Sequence, residues 1–151
     1  MAWELSIVHP NGHRLGRPKE VMTALSGALP ELEWVELPPL LEEIKGQPDH
    51  PLHKVLPMWS AEQKRRAGLP RTVGSFEGEG FSLEVYGLED DPVEDFYIDV
   101  HGDGDPTPTL MQLKSRTRWA IKEMATDRFL DEKQLRERWA AFLERRRLTE
   151  E

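Results

Sequence analysis

The sequence predicts a single α+β domain over residues 1–151, built as two layers. We expect a mainly antiparallel sheet of five or six strands with helices on one face, in a ferredoxin-like arrangement with insertions. Two observations predict this class. Several short segments alternate apolar and polar residues, as strands with one exposed face do. In other segments apolar residues recur at spacings of three and four positions, as they do in amphipathic helices.

The first part of the chain predicts a strand, a helix and a second strand. Residues 3–8 alternate apolar and polar side chains, and an Asn-Gly turn follows them. Pro18 suits the first turn of a helix that runs to about Leu29, and Pro30 ends it. Residues 31–37 predict the second strand.

Residues 38–71 are predicted to form a proline-rich, mostly irregular insertion, because six prolines divide this stretch into short pieces. Only residues 60–68 predict a helix, with Ser60 as its N-cap and Gly68 at its end. Irregular segments longer than about 12–15 residues are usually functional loops or mobile ones. A binding lid and a disordered loop therefore remain alternatives.

The second half predicts two more strands, a helix, a hairpin and a final helix. Residues 81–88 and 95–101 alternate and are joined by a turn, so they should pair antiparallel. A helix follows from about residue 106 to 118, and a short hairpin lies around residues 125–127. The final helix begins after residue 131, and an apolar stripe marks its buried side: Leu135, Trp139, Phe142 and Leu143.

The net charge of −8 is unevenly distributed along the chain. Residues 72–113 contain no Lys or Arg but eleven acidic residues: Glu77, Glu79, Glu84, Glu89, Asp90, Asp91, Glu94, Asp95, Asp99, Asp103 and Asp105. Acidic residues that share a face create a negative field, which repels phosphates. We therefore expect no nucleic-acid partner.

The cellular setting is predicted from what the sequence lacks. There is no cysteine, so nothing depends on an oxidising compartment. The N-terminus has no signal-peptide pattern, and no window approaches the ~18 apolar residues of a membrane span. We expect a cytoplasmic protein without a membrane partner, and the sequence leaves its oligomeric state open.

Residues 94–131 follow a layout of a strand, a G-x-G-D-P turn, a helix, a strand that begins at Trp and an F-L-D segment. The matching residues are Gly102, Gly104, Asp105, Pro106, Leu110, Leu113, Trp119, Phe129, Leu130 and Asp131. This layout resembles that of small bacterial α+β proteins, for most of which no activity is known. Arg118 stands where similar proteins usually have glycine. The resemblance covers about a quarter of the chain and implies a fold, not a functional residue.

One motif could bind a metal ion. Asp99, His101, Asp103 and Asp105 are spaced two apart around a glycine-rich strand end, and carboxylates and imidazoles are donors for divalent cations. An EF-hand is excluded. If Asp99 is the first residue of a calcium loop, Leu110 is the twelfth, where a bidentate Glu is needed. The structural alternative is that this is an acidic turn in which Asp105 caps the following helix.

The histidines offer a second and weaker metal hypothesis, in which two pairs meet in a zinc site: His9 with His13, and His50 with His53. Other catalytic signals are missing, since there is no cysteine, no G-x-S-x-G elbow and no phosphate loop with a lysine. We expect no cofactor.

The leading hypothesis concerns the exposed face of the sheet, which should carry Glu84, Tyr86, Asp95, Tyr97 and Asp99. Acids with interspersed tyrosines suit a charge-steered protein interface. We therefore expect a non-catalytic bacterial interaction protein that binds a basic protein partner, as immunity proteins and inhibitors do. Two alternatives stay open. In the first, the acids only keep an open sheet face solvated or pair with Arg side chains of the last helix. In the second, the protein is a metal-binding protein or metal-dependent hydrolase that uses His101, Asp103 and Asp105 of the cluster at residues 99–105.

Overall fold

The structure is a computed structural model that describes residues 2–150. Within this range it is α+β, with one antiparallel sheet of seven strands and five α-helices. The elements are β1 Trp3–Val8, α1 Pro18–Ala28, β2 Glu33–Leu37, α2 Leu40–Gly46, α3 Ala61–Ala67, β3 Arg71–Glu77, β4 Phe81–Tyr86, β5 Asp95–Gly102, α4 Thr107–Thr117, β6 Ala120–Glu123, β7 Arg128–Phe129 and α5 Glu132–Glu150. In the part of the chain that is described, no helix combines the length and the apolar character that crossing a membrane requires.

The sheet has the strand order β2-β3-β4-β5-β1-β6-β7, and every neighbouring pair is antiparallel. The first strand therefore lies inside the sheet, where Leu5 is opposite Ile98 on one side and Glu123 on the other. Helix α1 carries the chain from β1 to the far edge at β2, and α4 connects β5 to β6.

One face of the sheet packs against α1, α4 and α5 and forms the core. Trp3 of β1 contacts Trp139 of α5, with ring centroids 5.4 Å apart. The predicted stripe on α5 is confirmed, since Leu135, Trp139 and Phe142 are buried and Leu143 packs against them partly buried. Hydrophobic burial of this face fixes which side of each strand points away from the helices.

One carboxylate lies in this core. Glu123 of β6 is fully buried and accepts hydrogen bonds from Trp3 Nε1 at 2.8 Å, Thr126 Oγ1 at 2.8 Å and Arg138 Nε at 2.9 Å. Burial by itself would raise the pKa of Glu123, but these hydrogen bonds and the Arg138 charge outweigh it and lower the pKa below its usual value. The buried charge is therefore satisfied.

The sheet has seven strands, not the five or six that the sequence predicted, and the strand that was not predicted is β3. Its Gly74 and Ser75 break the alternation by which the other strands were predicted. Gly74 is needed there because a Cβ atom would lie 2.9 Å from the Trp34 ring, which covers the position from β2. The pairing of β3 with β2 thus explains why β3 contains a glycine in place of a side chain that would fit the alternating pattern.

Arg118 ends α4 with φ of +63°, in the left-handed region where glycine is favoured. The backbone conformation is thus the physical reason that glycine would suit the position that Arg118 occupies.

The proline-rich insertion is more regular than predicted. The predicted helix is present as α3, and its Ser60 cap accepts a hydrogen bond from Gln63 N at 3.1 Å. The insertion also contains α2 and two short 3-10 turns that were not predicted, at Pro51–Lys54 and Leu56–Met58. Prolines keep these helical segments short but do not prevent them, because proline is tolerated in the first turn of a helix. The insertion lines a cavity together with the sheet side opposite α1, α4 and α5. The expectation that helices lie on one face only therefore fails for these short helices.

Candidate functional site

The sheet face that points away from α1, α4 and α5, here called the open face, carries a line of acidic residues. Glu33 is opposite Ser75, Ser75 opposite Glu84, Glu84 opposite Asp99, and Asp99 opposite Glu4. Four carboxylates and one serine thus cross five strands in register, and we call them the acidic row. Directly opposite residues have Cβ atoms about 5 Å apart.

The carboxylates of the acidic row are not balanced by ion pairs within the part of the chain that the structure describes. Among residues 2–150, none of its four carboxylates takes part in an ion pair. Asp99 accepts one hydrogen bond, from the hydroxyl of Tyr86 at 3.0 Å. Since like charges directly opposite each other destabilise a sheet, this row lowers stability in the isolated chain.

Two tyrosines lie beside the acidic row. Tyr86 is opposite Tyr97, and their ring centroids are 5.5 Å apart. The hydroxyl of Tyr97 donates to Asp95 Oδ2 at 3.3 Å. Burial, and next the charge and hydrogen bond of the adjacent carboxylate, raise the pKa of Tyr86 and of Tyr97. Both hydroxyls therefore remain protonated hydrogen-bond donors at neutral pH.

Gly87 makes room for this tyrosine pair. It has φ of +89°, which favours glycine, and a Cβ atom there would lie 2.8 Å from Cδ2 of Tyr97. The turn after β4 and the position of the Tyr97 ring thus depend on the same glycine.

A cavity of about 400 Å³ lies where the insertion meets the open face. Trp59, Leu40 and Ala67 of the insertion line one side, and Tyr86 and Tyr97 line the other. The insertion therefore forms one wall of this cavity.

Charged groups around this cavity are unequally compensated. Arg66 pairs with Asp90, with 3.2 Å between Nε and Oδ1. Arg71 pairs with Glu43 at 2.7 Å, and its Nε donates to the carbonyl of Pro38. Two further carboxylates on the wall, Glu89 and Asp95, form no ion pair within residues 2–150. The uncompensated charge of the cavity is therefore negative.

Large apolar side chains remain exposed on the same open face. Val35 of β2 is 52% exposed and Phe129 of β7 is 54% exposed. Val35 is opposite Val73 on β3, and Phe129 is opposite Lys122 on β6. They flank the acidic and tyrosine residues at the two edges of the sheet.

The predicted binding residues all lie on the open face. Glu84 and Asp99 belong to the acidic row, Tyr86 and Tyr97 to the neighbouring row, and Asp95 to the start of β5. The acidic segment is not wholly free, however, because Arg66 pairs with Asp90. Likewise Arg17 pairs with Asp91 at 3.1 Å and Arg14 with Glu94 at 4.0 Å.

The residues of the metal hypothesis are not brought together. His101 is opposite Ser82 on the open face, whereas Asp103 pairs with Arg146 of α5. Asp105 Oδ1 accepts from Thr107 N at 2.9 Å, which forms an Asx turn just before α4. The N-cap residue of α4 is Pro106, which has no side-chain cap, so the capping role expected for Asp105 is not the one the structure shows. Among residues 2–150 no group of three His, Asp or Glu side chains could hold a metal ion.

The histidines make local contacts instead. The rings of His9 and His13 are 4.9 Å apart, in an edge-to-face contact. His50 Nδ1 accepts from Leu52 N, and His53 Nε2 bonds the carbonyl of Gln47.

No family model, curated protein or solved structure matches this chain. No activity therefore transfers to it from a relative, and the chemistry of the open face is the guide to function. Two members of the acidic row, Glu4 and Glu33, were missed from sequence. Glu4 does occupy the polar phase of β1, so its face was predictable, but its alignment with Asp99 depends on strand register.

Proposed function

We propose that the protein is a non-catalytic bacterial interaction protein that binds a basic protein partner through its open face, in the manner of immunity proteins and inhibitors. The observation that carries this proposal is the acidic row, in which Asp99 is directly opposite both Glu84 and Glu4 and none of the three forms an ion pair within residues 2–150. A cationic partner would offset a repulsion that the isolated chain bears.

The remaining chemistry of the open face also suits a protein partner. Tyr86 and Tyr97 offer flat contact area that is already fixed by hydrogen bonds, so little side-chain freedom is lost on binding. Val35 and Phe129 add exposed apolar area at the edges. Aromatic and apolar contacts around charged groups are typical of specific interfaces.

The proposal is tested with the basic partner that the wild-type protein captures from a lysate of its own organism at low salt. Association rate constants are then measured on the purified pair by surface plasmon resonance. We expect the triple variant Glu4→Gln, Glu84→Gln, Asp99→Asn to associate about tenfold or more slowly at low salt, because charge steering contributes factors of about 10–1,000. The difference should shrink as salt is raised.

The matched control is Glu77→Gln. Glu77 is an exposed carboxylate of the same sheet, but its register partner is Ser82, so it lies outside the acidic row. Equal slowing in this control would show a general charge effect. Capture of no basic protein, or equal association of wild type and triple variant, would reject the proposed function.

Two further expectations stay proposals. We propose a cytoplasmic location, which is supported by the cysteine-free composition and by the lack of a signal-peptide pattern in the sequence. The ferredoxin-like relationship is supported by the central position of β1 between β5 and β6, with α1 and α4 as the two helical connections. In that interpretation β2 to β5 form a four-strand meander where the ferredoxin-like unit has two strands.

A further inference from the structure

The cavity between the insertion and the open face has the properties of a site for one organic cation. Its volume of about 400 Å³ falls within the roughly 300–1,000 Å³ that is usual for ligand sites. Trp59, Tyr86 and Tyr97 give it aromatic walls, while Glu89 and Asp95 supply uncompensated carboxylates. Aromatic faces and carboxylates together attract cations.

We propose that this cavity takes an arginine side chain of the basic partner, an inference that rests on the proposed function. A guanidinium group is planar, so it can stack on a tyrosine or tryptophan ring while its N–H groups form two parallel hydrogen bonds with a carboxylate. A lysine ammonium matches the charge but lacks both the flat surface and the paired donors.

The two arginines that line the cavity do not compete with an arginine of the partner for Glu89 and Asp95. Arg66 is held by Asp90 and Arg71 by Glu43, so neither neutralises the remaining carboxylates. Asp95 accepts the hydroxyl of Tyr97 at 3.3 Å, which fixes its position on the wall.

The cavity also adjoins the acidic row, because Tyr86 lines the cavity and donates to Asp99. An arginine bound in the cavity would thus lie beside the row that attracts the rest of a basic surface. One contact supplies specificity, and the row supplies long-range attraction.

The test titrates Nα-acetyl-arginine amide into the chain of residues 1–151 and follows the indole N–H of Trp59 in proton–nitrogen correlation spectra. The signal is assigned by its loss in Trp59→Phe. We expect a saturable shift, with weaker binding of Nα-acetyl-lysine amide. Asp95→Asn should weaken binding about tenfold or more, as loss of a charge-assisted hydrogen bond does.

The control is Asp91→Asn, since Asp91 is a neighbouring acid that pairs with Arg17 and does not line the cavity. Its affinity should equal that of wild type. If Asp95→Asn loses the dispersed spectrum of a folded chain, Glu89→Gln takes its place, and we expect the same weakening.

Three results would overturn the inference: no saturable shift in wild type, equal or tighter binding of the lysine probe, or unchanged binding in the carboxylate variants. The titration needs no protein partner, so its failure rejects the cavity assignment alone. If the titration is positive but the capture experiment finds no basic partner, the proposed function is rejected and the arginine-binding site in the cavity is still supported.

Discussion

Neutralising the acidic row should stabilise the isolated protein. Glu4 and Glu84 each lie directly opposite Asp99, so the double variant Glu4→Gln, Glu84→Gln removes two like-charge pairs and keeps side-chain size and strand pairing. A cross-strand pair changes stability by roughly 0.2–1 kcal/mol, so both together should raise the free energy of unfolding by about 0.4–2 kcal/mol. Asp99 itself is kept because it accepts the Tyr86 hydrogen bond.

Urea denaturation followed by tryptophan fluorescence measures this change at low and high salt. The Debye length falls from about 30 Å at 0.01 M to about 3 Å at 1 M ionic strength. The stabilisation should therefore be largest in dilute buffer and smallest at 1 M salt. It should leave the slope of the unfolding curve unchanged, because the fold does not change.

The Glu77→Gln variant is again the control, since it removes one carboxylate that faces Ser82 rather than another acid. We expect its stability to differ little from that of wild type. A double variant less stable than wild type in dilute buffer would refute the reasoning, as would a gain equally present at 1 M salt. Stabilisation combined with slower partner binding would show that the row lowers stability in favour of binding.

Three further changes test the core and the turn beside the cavity. Trp139→Ala should lower the free energy of unfolding by about 3–5 kcal/mol in urea melts, because Trp139 is a buried core residue, and a loss below 1 kcal/mol would contradict that role. Glu123→Gln should lower the free energy of unfolding by about 1–3 kcal/mol at neutral pH. Because the folded-state pKa of Glu123 is lowered, the stability difference between wild type and variant should disappear as the pH falls through that pKa. A stability difference that stays constant between pH 7 and pH 3 would contradict this role of the Glu123 charge. Gly87→Ala should destabilise by about 1–3 kcal/mol, given its positive φ and its contact with Tyr97. The matched control Gly27→Ala, in helix α1 with open space around it, should instead stabilise by about 0.5–1 kcal/mol, and similar losses in both thermal melts would refute the strain argument.

The local patterns of the sequence were sufficient to predict most of the strands and the final helix. Alternation in residues 3–8, 81–88 and 95–101 reflects burial of one face, which is a property of consecutive residues. The stripe that includes Trp139 is local in the same sense. Strand β3 was not predicted, because Gly74 interrupts its alternation of apolar and polar residues. Glycine is required there by the ring of Trp34, which lies forty positions away in the chain.

The sequence by itself therefore determined which side chains share a face, including Glu84, Tyr86, Asp95, Tyr97 and Asp99, because a period of two needs no tertiary information. Only the tertiary structure decided which of them stand opposite one another. Register depends on pairing between distant strands, and it aligned Glu84 and Asp99 with two acids that come from β1 and β2.

The cavity was likewise decided by tertiary structure. The proline-rich insertion has no regular period, so its sequence could not show where it packs. The folded chain brings Trp59 and Arg66 beside Tyr97, through contacts between segments far apart in sequence. Arg66 then neutralises Asp90 and leaves Asp95 uncompensated, a distinction that depends on distances between side chains and not on the order of residues along the chain.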